Sequence, residues 1–164
     1  MTEKIYNASV LTVSDRCSKG VTEDTSGPLL CKRLEEEGFI IKEYNIVPDE
    51  KEEIESSIRS MSDVSDLVIT TGGTGLSPRD VTPEATEAVC TKMIPGIAEI
   101  MRSYSMKITK RAALSRAVAG ICANSLVINM PGSKKAVSEN FDAVKDILFH
   151  AIDTIQNRVG DCGR

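Results

Sequence analysis

The stretch ITTGGTGLSPRDVTPEAT, residues 69–86, joins the pattern of a strand to the pattern of a helix through a loop with three glycines. The apolar residues that lead into it, followed by two threonines, are typical of a short buried strand. Thr82, Pro83 and Glu84 then predict an N-cap, a proline in the first turn and an acid that complements the helix dipole. The stretch therefore predicts a strand, a long glycine-bearing loop and a helix that begins near Pro83.

The same order of elements precedes this stretch. ASVLTV, residues 8–13, predicts a first strand, and a serine before an early proline predicts a helix that begins at Ser26. Residues 39–47 predict a second strand. Asp49, with Glu52 three residues later, resembles a capping box and predicts the start of a second helix.

The segment that follows the stretch is less regular. Pro95 opens a helical pattern, and residues 110–125 predict a helix, a loop and a short strand in succession. LVINM, residues 126–130, predicts another strand. Ser133 is predicted to cap one last helix, whose apolar positions recur at spacings of four and three as far as Ile155.

Strands thus alternate with helices, and each predicted strand is a continuous apolar run. Such strands are buried on both faces, which is typical of a mostly parallel sheet covered by helices. We therefore predict a three-layer α/β/α fold with a mostly parallel sheet. Because 164 residues are close to the roughly 150 residues of one domain, residues 1–164 are predicted to form a single domain.

Composition excludes several classes of function. Lys and Arg number 20 and Asp and Glu 24, a net charge of −4, and no basic run could follow a phosphate backbone, so nucleic acid is not an expected partner. The cysteines form no CxxC pair, and we find neither a secretory signal nor a membrane-spanning apolar run, so we expect a soluble, reduced, cytoplasmic protein. His150 is the only histidine, which argues against a histidine-rich metal site and a Ser-His-Asp triad.

Candidate site residues follow the predicted strands, because ligands of open parallel sheets bind beyond the carboxyl ends of the strands. These residues are small, expose their backbone or carry an acid, and we expect them to meet at one edge of the sheet. They are Ser14 and Asp15 after the first strand, Asp49 after the second, Gly72, Gly73, Thr74 and Gly75 after the third, and Pro131, Gly132 and Ser133 after LVINM.

The glycine loop is a candidate phosphate site. Residues without a Cβ let backbone N–H groups approach an anion, and the N-terminus of the following helix adds partial positive charge. The loop matches neither a Walker loop nor the GxGxxG fingerprint, and plain turn formation is the alternative explanation of its glycines. Ser115 and Arg116 are candidates for the cationic side of an anion site, with a solvated charged face as the alternative.

Acids beside the loop suggest a metal. Mg²⁺ prefers one or two carboxylates together with substrate phosphates, so Asp49 and Asp80 are the candidate ligands. Each acid also has a structural alternative. Asp49 is a candidate helix cap, Asp80 a candidate partner of Arg79, and Glu84 a candidate complement to its helix dipole.

Six blocks in this order resemble a known family. The blocks are LTVSD at 11–15, DTSGPLL at 24–30, VPDE at 47–50, TTGGTGLSPRDVTPEAT at 70–86, LSRAVAG at 114–120 and NMPGS at 129–133. They resemble the molybdopterin adenylyltransferases of molybdenum cofactor biosynthesis, which include the bacterial MogA and MoaB type proteins and the G domain of gephyrin. The resemblance covers nearly the whole chain.

The resemblance implies an α/β/α fold, usually trimeric, that binds molybdopterin and transfers AMP to its terminal phosphate from Mg-ATP with release of pyrophosphate. It implies Mg²⁺ with ATP as co-substrate, no permanently bound cofactor, and a downstream molybdenum insertase as a further partner. By similarity, Asp49 and Asp80 are the catalytic acids. Together, the resemblance and the strand-end positions make the following residues candidates for substrate or nucleotide binding: Ser14, Asp15, Gly72, Gly73, Thr74, Gly75, Arg79, Glu84, Ser115, Arg116, Pro131, Gly132 and Ser133.

Two alternative functions stay open at this point. A module of the same fold can bind molybdopterin or act as a scaffold without catalysis, and retained pterin binding without ATP turnover would distinguish it. A flavodoxin-like nucleotide-binding protein is the second alternative, and three Tyr, three Phe and no Trp offer few rings to stack on a flavin.

Overall fold

A central sheet organises the computed structural model, which describes residues 3–158. Within those residues the sheet has six strands in the order β2-β1-β3-β6-β5-β4. The strands are β1 (Tyr6–Val13), β2 (Phe39–Val47), β3 (Leu67–Thr71), β4 (Lys92–Met93), β5 (Ala119–Cys122) and β6 (Ser125–Met130). β2, β1, β3 and β6 are parallel, and β5 is antiparallel to both of its neighbours.

Helices cover both faces of this sheet. They are α1 (Asp15–Ser18), α2 (Ser26–Glu36), α3 (Lys51–Val64), α4 (Thr82–Val89), α5 (Pro95–Met106), α6 (Lys134–Val144) and α7 (Leu148–Ile155). One core contains buried residues of α2, α5, α6 and α7, and the other contains buried residues of α3 and α4. In β1, Val10 belongs to the first core and Leu11 to the second, because successive side chains of a strand point to opposite faces. The predicted three-layer α/β/α fold is confirmed.

The edge strand β2 differs from the expectation of continuously buried strands. Phe39 is buried, but Ile40, Tyr44 and Ile46 are exposed. β2 is paired on one side only, with β1, and α2 packs near it. Its apolar composition therefore reflects strand propensity as much as burial.

Two segments depart from the predicted elements. The last helix is not continuous, because a 3₁₀ turn at Lys145–Ile147 separates α6 from α7. Apolar residues on both sides of that turn, Phe141 and Leu148 among them, pack into the same core, so the apolar period alone does not show the interruption. Residues 110–125 contain the expected succession, with a 3₁₀ turn at Lys110–Leu114 and then β5, but the antiparallel hairpin of β5 with β6 was not predicted.

Among residues 3–158, no helix combines the length and the apolar character that crossing a membrane requires.

Candidate active site

The carboxyl ends of the parallel strands open into a cavity of about 260 Å³, which we call the strand-end cavity. It lies where β1, β2, β3 and β6 end. Its lining includes Ser14, Asp49, Gly72, Gly73, Asp80 and Gly132. The structure thus brings these six candidate residues together at the edge where we expected them.

The glycine loop after β3 needs glycine at two positions. Gly72 has φ 98° and Gly73 has φ 68°, values that L side chains rarely adopt. A Cβ on Gly72 would lie 2.3 Å from the carbonyl oxygen of Val13, and a Cβ on Gly73 would lie 2.3 Å from Oγ1 of Thr82. Gly72 is therefore required by a close backbone approach and Gly73 by the packed Thr82 side chain, and both are required by their conformation.

Hydrogen bonds orient the peptide groups of this loop. All four carbonyl groups of residues 72–75 accept a hydrogen bond. Thr82 donates to the first two from Oγ1 and N at 2.9 and 3.1 Å, and Arg116 donates to the last two from N and Nε at 2.9 and 2.8 Å. Within residues 3–158, the N–H groups of residues 73–75 donate to no other residue. The loop therefore presents unengaged backbone donors, which suit an anion.

Asp49 joins the ends of β1 and β2. The backbone N–H of Asp15 donates to Oδ2 of Asp49 at 2.9 Å, and the N–H of Asp49 donates to Oδ1 of Asp15 at 3.0 Å. Oδ1 of Asp49 has no hydrogen-bond partner among the described residues and lies 3.2 Å from the position of a Cβ on Gly73. Burial raises the pKa of Asp49, and the nearby charges of Asp15 and Asp80 raise it further.

Two predicted helix caps are wrong. Helix α3 begins after Glu50 without a side-chain cap, because the Asp49 carboxylate accepts the N–H of Asp15 in α1 instead of an N–H of its own helix. Helix α4 has Val81 at its N-cap, and Thr82 is the first helical residue. The Thr82 hydroxyl donates to the carbonyl of Gly72, so a tertiary contact replaces the local one in both cases.

Asp80 closes a turn within the loop. The N–H of Ser77 donates to Oδ2 of Asp80 at 3.0 Å, and the N–H of Asp80 donates to the carbonyl of Ser77 at 2.9 Å. A Cβ on Gly75 would lie 2.8 Å from the same Oδ2. Oδ1 of Asp80 has no hydrogen-bond partner within residues 3–158, so this acid, like Asp49, keeps one oxygen free at the cavity.

Arg79 is not the partner of Asp80. Its guanidinium donates from Nε and Nη2 to both carboxylate oxygens of Asp15, each at 3.0 Å, and from Nη2 to Glu50 at 2.8 Å. The bonds from Arg79 and then from the Asp49 N–H hold the pKa of Asp15 below its ordinary value. Arg79 therefore ties the loop after β3 to the ends of β1 and β2.

Arg116 holds the glycine loop against α4. Beyond its bond to Gly75, its Nη2 donates to the carbonyl of Asp80 at 2.7 Å, and its Nη1 forms an ion pair with Glu84. These contacts place Arg116 and Glu84 as supports of the loop. A direct contact of either residue with a ligand stays a prediction.

Asp24 lines the strand-end cavity although it was not among the candidate site residues. One of its oxygens accepts the N–H groups of Ser26 and Gly27 at 3.1 Å, and the other accepts the Thr12 hydroxyl at 2.6 Å and the Tyr44 hydroxyl. Burial and then this bond to Asp24 raise the pKa of Tyr44. An acid two residues before a predicted helix was the available sequence signal, but its bonds to β1 and β2 depend on the fold.

A second cavity of about 490 Å³, which we call the side cavity, lies between α5, the 3₁₀ turn at 110–114 and α6. Thr74, Gly75, Ser115 and Pro131 line it, so the glycine loop and the turn after β6 border both cavities. Ser133 is exposed, and its hydroxyl caps α6 by accepting the N–H of Ala136 at 3.2 Å, as predicted. Ser14 caps α1 in the same way, at 3.2 Å from the N–H of Cys17.

Comparison with known proteins identifies the family. The family model described as "Probable molybdopterin binding domain" matches residues 9–150. The chain belongs to this family. A relative from Helicobacter pylori (strain ATCC 700392 / 26695), named molybdopterin adenylyltransferase, is 48% identical over 152 residues that cover 89% of this chain and 85% of the relative. Gephyrin of Dictyostelium discoideum is 40% identical over 95% of this chain and 23% of its own length.

Solved structures of molybdopterin biosynthesis proteins share the fold. The crystal structure of the molybdopterin biosynthesis enzyme MoaB from Thermus thermophilus is 39% identical and matches with a TM-score of 0.88, covering 93% of this chain and 98% of its own. All six sequence blocks lie within residues 9–150, which the family model matches. The resemblance to molybdopterin adenylyltransferases is therefore confirmed, and a relative of that name aligns over most of the chain.

Proposed function

We propose that this protein is a molybdopterin adenylyltransferase of molybdenum cofactor biosynthesis, which transfers AMP from ATP to the terminal phosphate of molybdopterin. Relatives that carry this name support the activity. The structural observation that carries the proposal is the juxtaposition of unengaged backbone donors in residues 73–75 with the free oxygens of Asp49 and Asp80.

The proposed reaction joins two anions. An oxygen of the terminal phosphate attacks the α-phosphorus of ATP, a new P–O bond forms, and the bond from that phosphorus to the bridging oxygen breaks. The electron pair of the broken bond leaves with pyrophosphate. Such a transfer needs alignment and charge neutralisation more than covalent help from the protein, and no histidine base is required. The glycine loop and the N-terminus of α4 supply donors for that purpose.

Mg²⁺ fits the acids at the cavity as a companion of ATP. Within residues 3–158 no cluster of three or more His, Cys, Asp or Glu side chains could hold a metal by itself. Asp49 and Asp80 match the one or two carboxylates that Mg²⁺ takes together with substrate phosphates. Bound there, the ion would neutralise charge on the leaving pyrophosphate. Asp15 holds the Asp49 carboxylate in place and Arg79 holds Asp15. We therefore assign Asp15 and Arg79 the role of positioning Asp49.

Pyrophosphate release from Mg-ATP, measured with and without molybdopterin, tests the proposal. We expect wild-type protein to release pyrophosphate only with molybdopterin, and Asp49→Asn and Asp80→Asn to lower the rate by about a hundredfold or more. Glu52→Gln, at an exposed position of α3, is the matched acid control and should keep the wild-type rate.

A wild-type protein that binds molybdopterin but releases no pyrophosphate would contradict the catalytic proposal. It would favour the alternative of a molybdopterin-binding or scaffold module of the same fold. Full activity of both aspartate variants, with an active wild type, would instead remove the assignment of the two acids.

We also propose a cytoplasmic homotrimer that delivers its product to a molybdenum insertase. Exposed apolar side chains on and beside α5, including Met93, Ile100, Tyr104 and Met106, support an interface between copies of the chain. Light scattering that gives the mass of a monomer at micromolar concentration would contradict the trimer.

A further inference from the structure

Asp24 is the acid of the strand-end cavity whose two oxygens are both engaged. Its Oδ1 accepts the N–H groups of Ser26 and Gly27, each at 3.1 Å, at the start of α2. Its Oδ2 accepts the hydroxyl of Thr12 on β1 at 2.6 Å and the hydroxyl of Tyr44 on β2. A carboxylate offers about four acceptor positions, so these donors leave none for a metal ion or a ligand. Asp24 is therefore suited to hold other groups in place.

The start of α2 packs directly on this carboxylate. A Cβ on Gly27 would lie 2.5 Å from Oγ1 of Thr12 and 2.5 Å from Cε2 of Tyr44. It would lie closer still to Oδ2 of Asp24. Thr25, the N-cap residue of α2, makes no hydrogen bond with its side chain. Capping α2 requires only the bonds of Oδ1, so the bonds of Oδ2 to two strands show that Asp24 also fixes the helix against the sheet.

Ser26 connects this position to the turn after β6. Ser26 is 4% exposed, and its hydroxyl donates to the carbonyl of Gly132 at 2.8 Å. Gly132 also lines the strand-end cavity and packs on the glycine loop, because a Cβ on Gly132 would lie 3.4 Å from Cα of Gly72. A chain of contacts thus runs from Asp24 through Ser26 and Gly132 to the glycine loop.

The carbonyl groups of the turn at residues 130–132 all accept hydrogen bonds. The first accepts the N–H of Gly72 at 3.0 Å, and the second accepts the Thr71 hydroxyl at 2.8 Å. These two donors belong to the glycine loop and β3, whereas Ser26, the donor to the third carbonyl, belongs to α2. A carbonyl oxygen that turned towards a phosphate would repel it, because both carry negative charge. Ser26 therefore favours phosphate binding by holding the Gly132 carbonyl, and Asp24 does so by holding Ser26.

We propose that Asp24 is a positioning residue for the phosphate groups of the substrates, which acts through Ser26 and the turn at Gly132 without contacting the ligand. The inference deepens the proposed function and rests on it for the identity of the phosphate-bearing ligand. The three acids of the strand-end cavity then have different roles. Asp49 and Asp80 keep an oxygen for Mg²⁺, whereas Asp24 gives both oxygens to the surrounding chain.

Asp24→Asn separates the hydrogen bonds of this residue from its charge. Its Oδ1 can accept both N–H groups of α2, and its Nδ2 can donate to the Thr12 and Tyr44 hydroxyls, because a hydroxyl both donates and accepts. The contacts are kept, and one negative charge leaves the cavity. In calorimetry with Mg-pyrophosphate as the probe, we expect Asp24→Asn to bind at least as tightly as the wild type.

Asp24→Ala and Ser26→Ala break the chain of contacts at two points. We expect each to weaken Mg-pyrophosphate binding by about tenfold. The double variant should bind no more weakly than Asp24→Ala, because the two residues act in series, whereas independent structural defects would add. Thr25→Ala is the matched control, since this exposed side chain lies between the two and makes no hydrogen bond, and it should bind like the wild type. Circular dichroism checks folding, and Ser26→Ala with Asp24→Asn decides the test if Asp24→Ala does not fold.

Wild-type affinity in Asp24→Ala or Ser26→Ala, or losses that add in the double variant, would overturn the inference. Binding by Asp24→Asn as weak as that of Asp24→Ala would overturn it too, because the charge itself would then be required. A wild type that does not bind Mg-pyrophosphate would also overturn it. If the wild type binds Mg-pyrophosphate but never releases it from ATP, only the proposed catalysis fails, and the binding comparison still decides the role of Asp24.

Discussion

The strand-end cavity and the side cavity share the glycine loop but are built from different kinds of residue. The first is enclosed by strand ends, tight glycine turns and acids that bond to backbone N–H groups. The second lies between α5, the 3₁₀ turn at 110–114 and α6 and is lined by side chains of these three elements together with part of the glycine loop and Pro131. The difference shows that the strand-end cavity depends on the backbone conformation of the glycine loop. The side cavity depends on which side chains the packing of α5, the 3₁₀ turn and α6 brings together.

The comparison predicts that the backbone of the strand-end cavity tolerates change least. Gly72→Ala would place a Cβ 2.3 Å from the Val13 carbonyl at a φ of 98°, so we expect a loss of about 3 kcal/mol or more in the free energy of unfolding. Gly96→Ala is the control, because a Cβ there meets nothing within 4 Å. Urea denaturation of both variants measures the difference, and equal stability would show that the loop path is not constrained.

The two arginines that fasten the loop after β3, Arg79 and Arg116, should contribute differently to the stability of the fold. Arg116 donates to the carbonyls of Gly75 and Asp80 and pairs with Glu84, so Arg116→Gln is expected to cost about 1–2 kcal/mol of stability. Arg79 is more exposed and pairs only with carboxylates, so Arg79→Gln should cost less stability than Arg116→Gln. Thermal melts at two salt concentrations compare them, and a larger, salt-sensitive loss for Arg79 would reverse this order.

Asp49 should lower stability at neutral pH because its ionised form is partly buried. Its folded pKa is raised, so its contribution to stability is fully present below the ordinary aspartate pKa of 3.8 and is lost as the pH rises through the folded value. Without Mg²⁺, Asp49→Asn is therefore expected to be more stable than the wild type at pH 7, by less than about 1 kcal/mol after solvent screening, while losing activity.

Melting temperatures of wild type and Asp49→Asn between pH 3 and pH 7 follow this effect. The advantage of the variant should shrink as the pH falls towards 3.8. An advantage that is the same at both ends of the range would assign it to packing instead of to the charge.

The walls of the side cavity should tolerate truncation best. Leu114 is 56% exposed and lines that cavity, so Leu114→Ala is expected to change the free energy of unfolding by no more than about 0.5 kcal/mol. An unfolding loss of core size would mean that this wall is structural and would weaken the contrast between the cavities.

Much of the fold and part of the site could be predicted because the relevant signals are local in the chain. Apolar runs, prolines and the Ser133 cap indicated the parallel strands and most helices, and the position of residues after each strand brought Asp49, Asp80 and the glycines to one edge. A glycine that must adopt positive φ, such as Gly72, is visible in the sequence because other residues adopt that conformation only at a cost in energy.

Local signals misled where a side chain has a choice of partners. Asp49 and Thr82 have the residue types and positions of helix caps, yet they bond to the first residue of α1 and to the glycine loop. Arg79 stands next to Asp80 in the chain but pairs with Asp15, which is 64 residues away. Polar side chains satisfy whichever donor or acceptor the assembled fold places nearest, and sequence proximity does not measure that distance.

By itself the sequence determined the α/β/α class, the order of its elements, the glycine loop and the acids beside it, because periodicity and backbone conformation are properties of short stretches. Only the tertiary structure decided the antiparallel hairpin of β5, the role of Asp24 and the side cavity with its hydrogen bond between Asn140 and Ser105. Asn140 and Ser105 are 35 residues apart on different helices, and their contact follows from how α5 and α6 pack on the sheet. Packing of that kind depends on all the contacts of the core at once, which no single stretch of sequence contains.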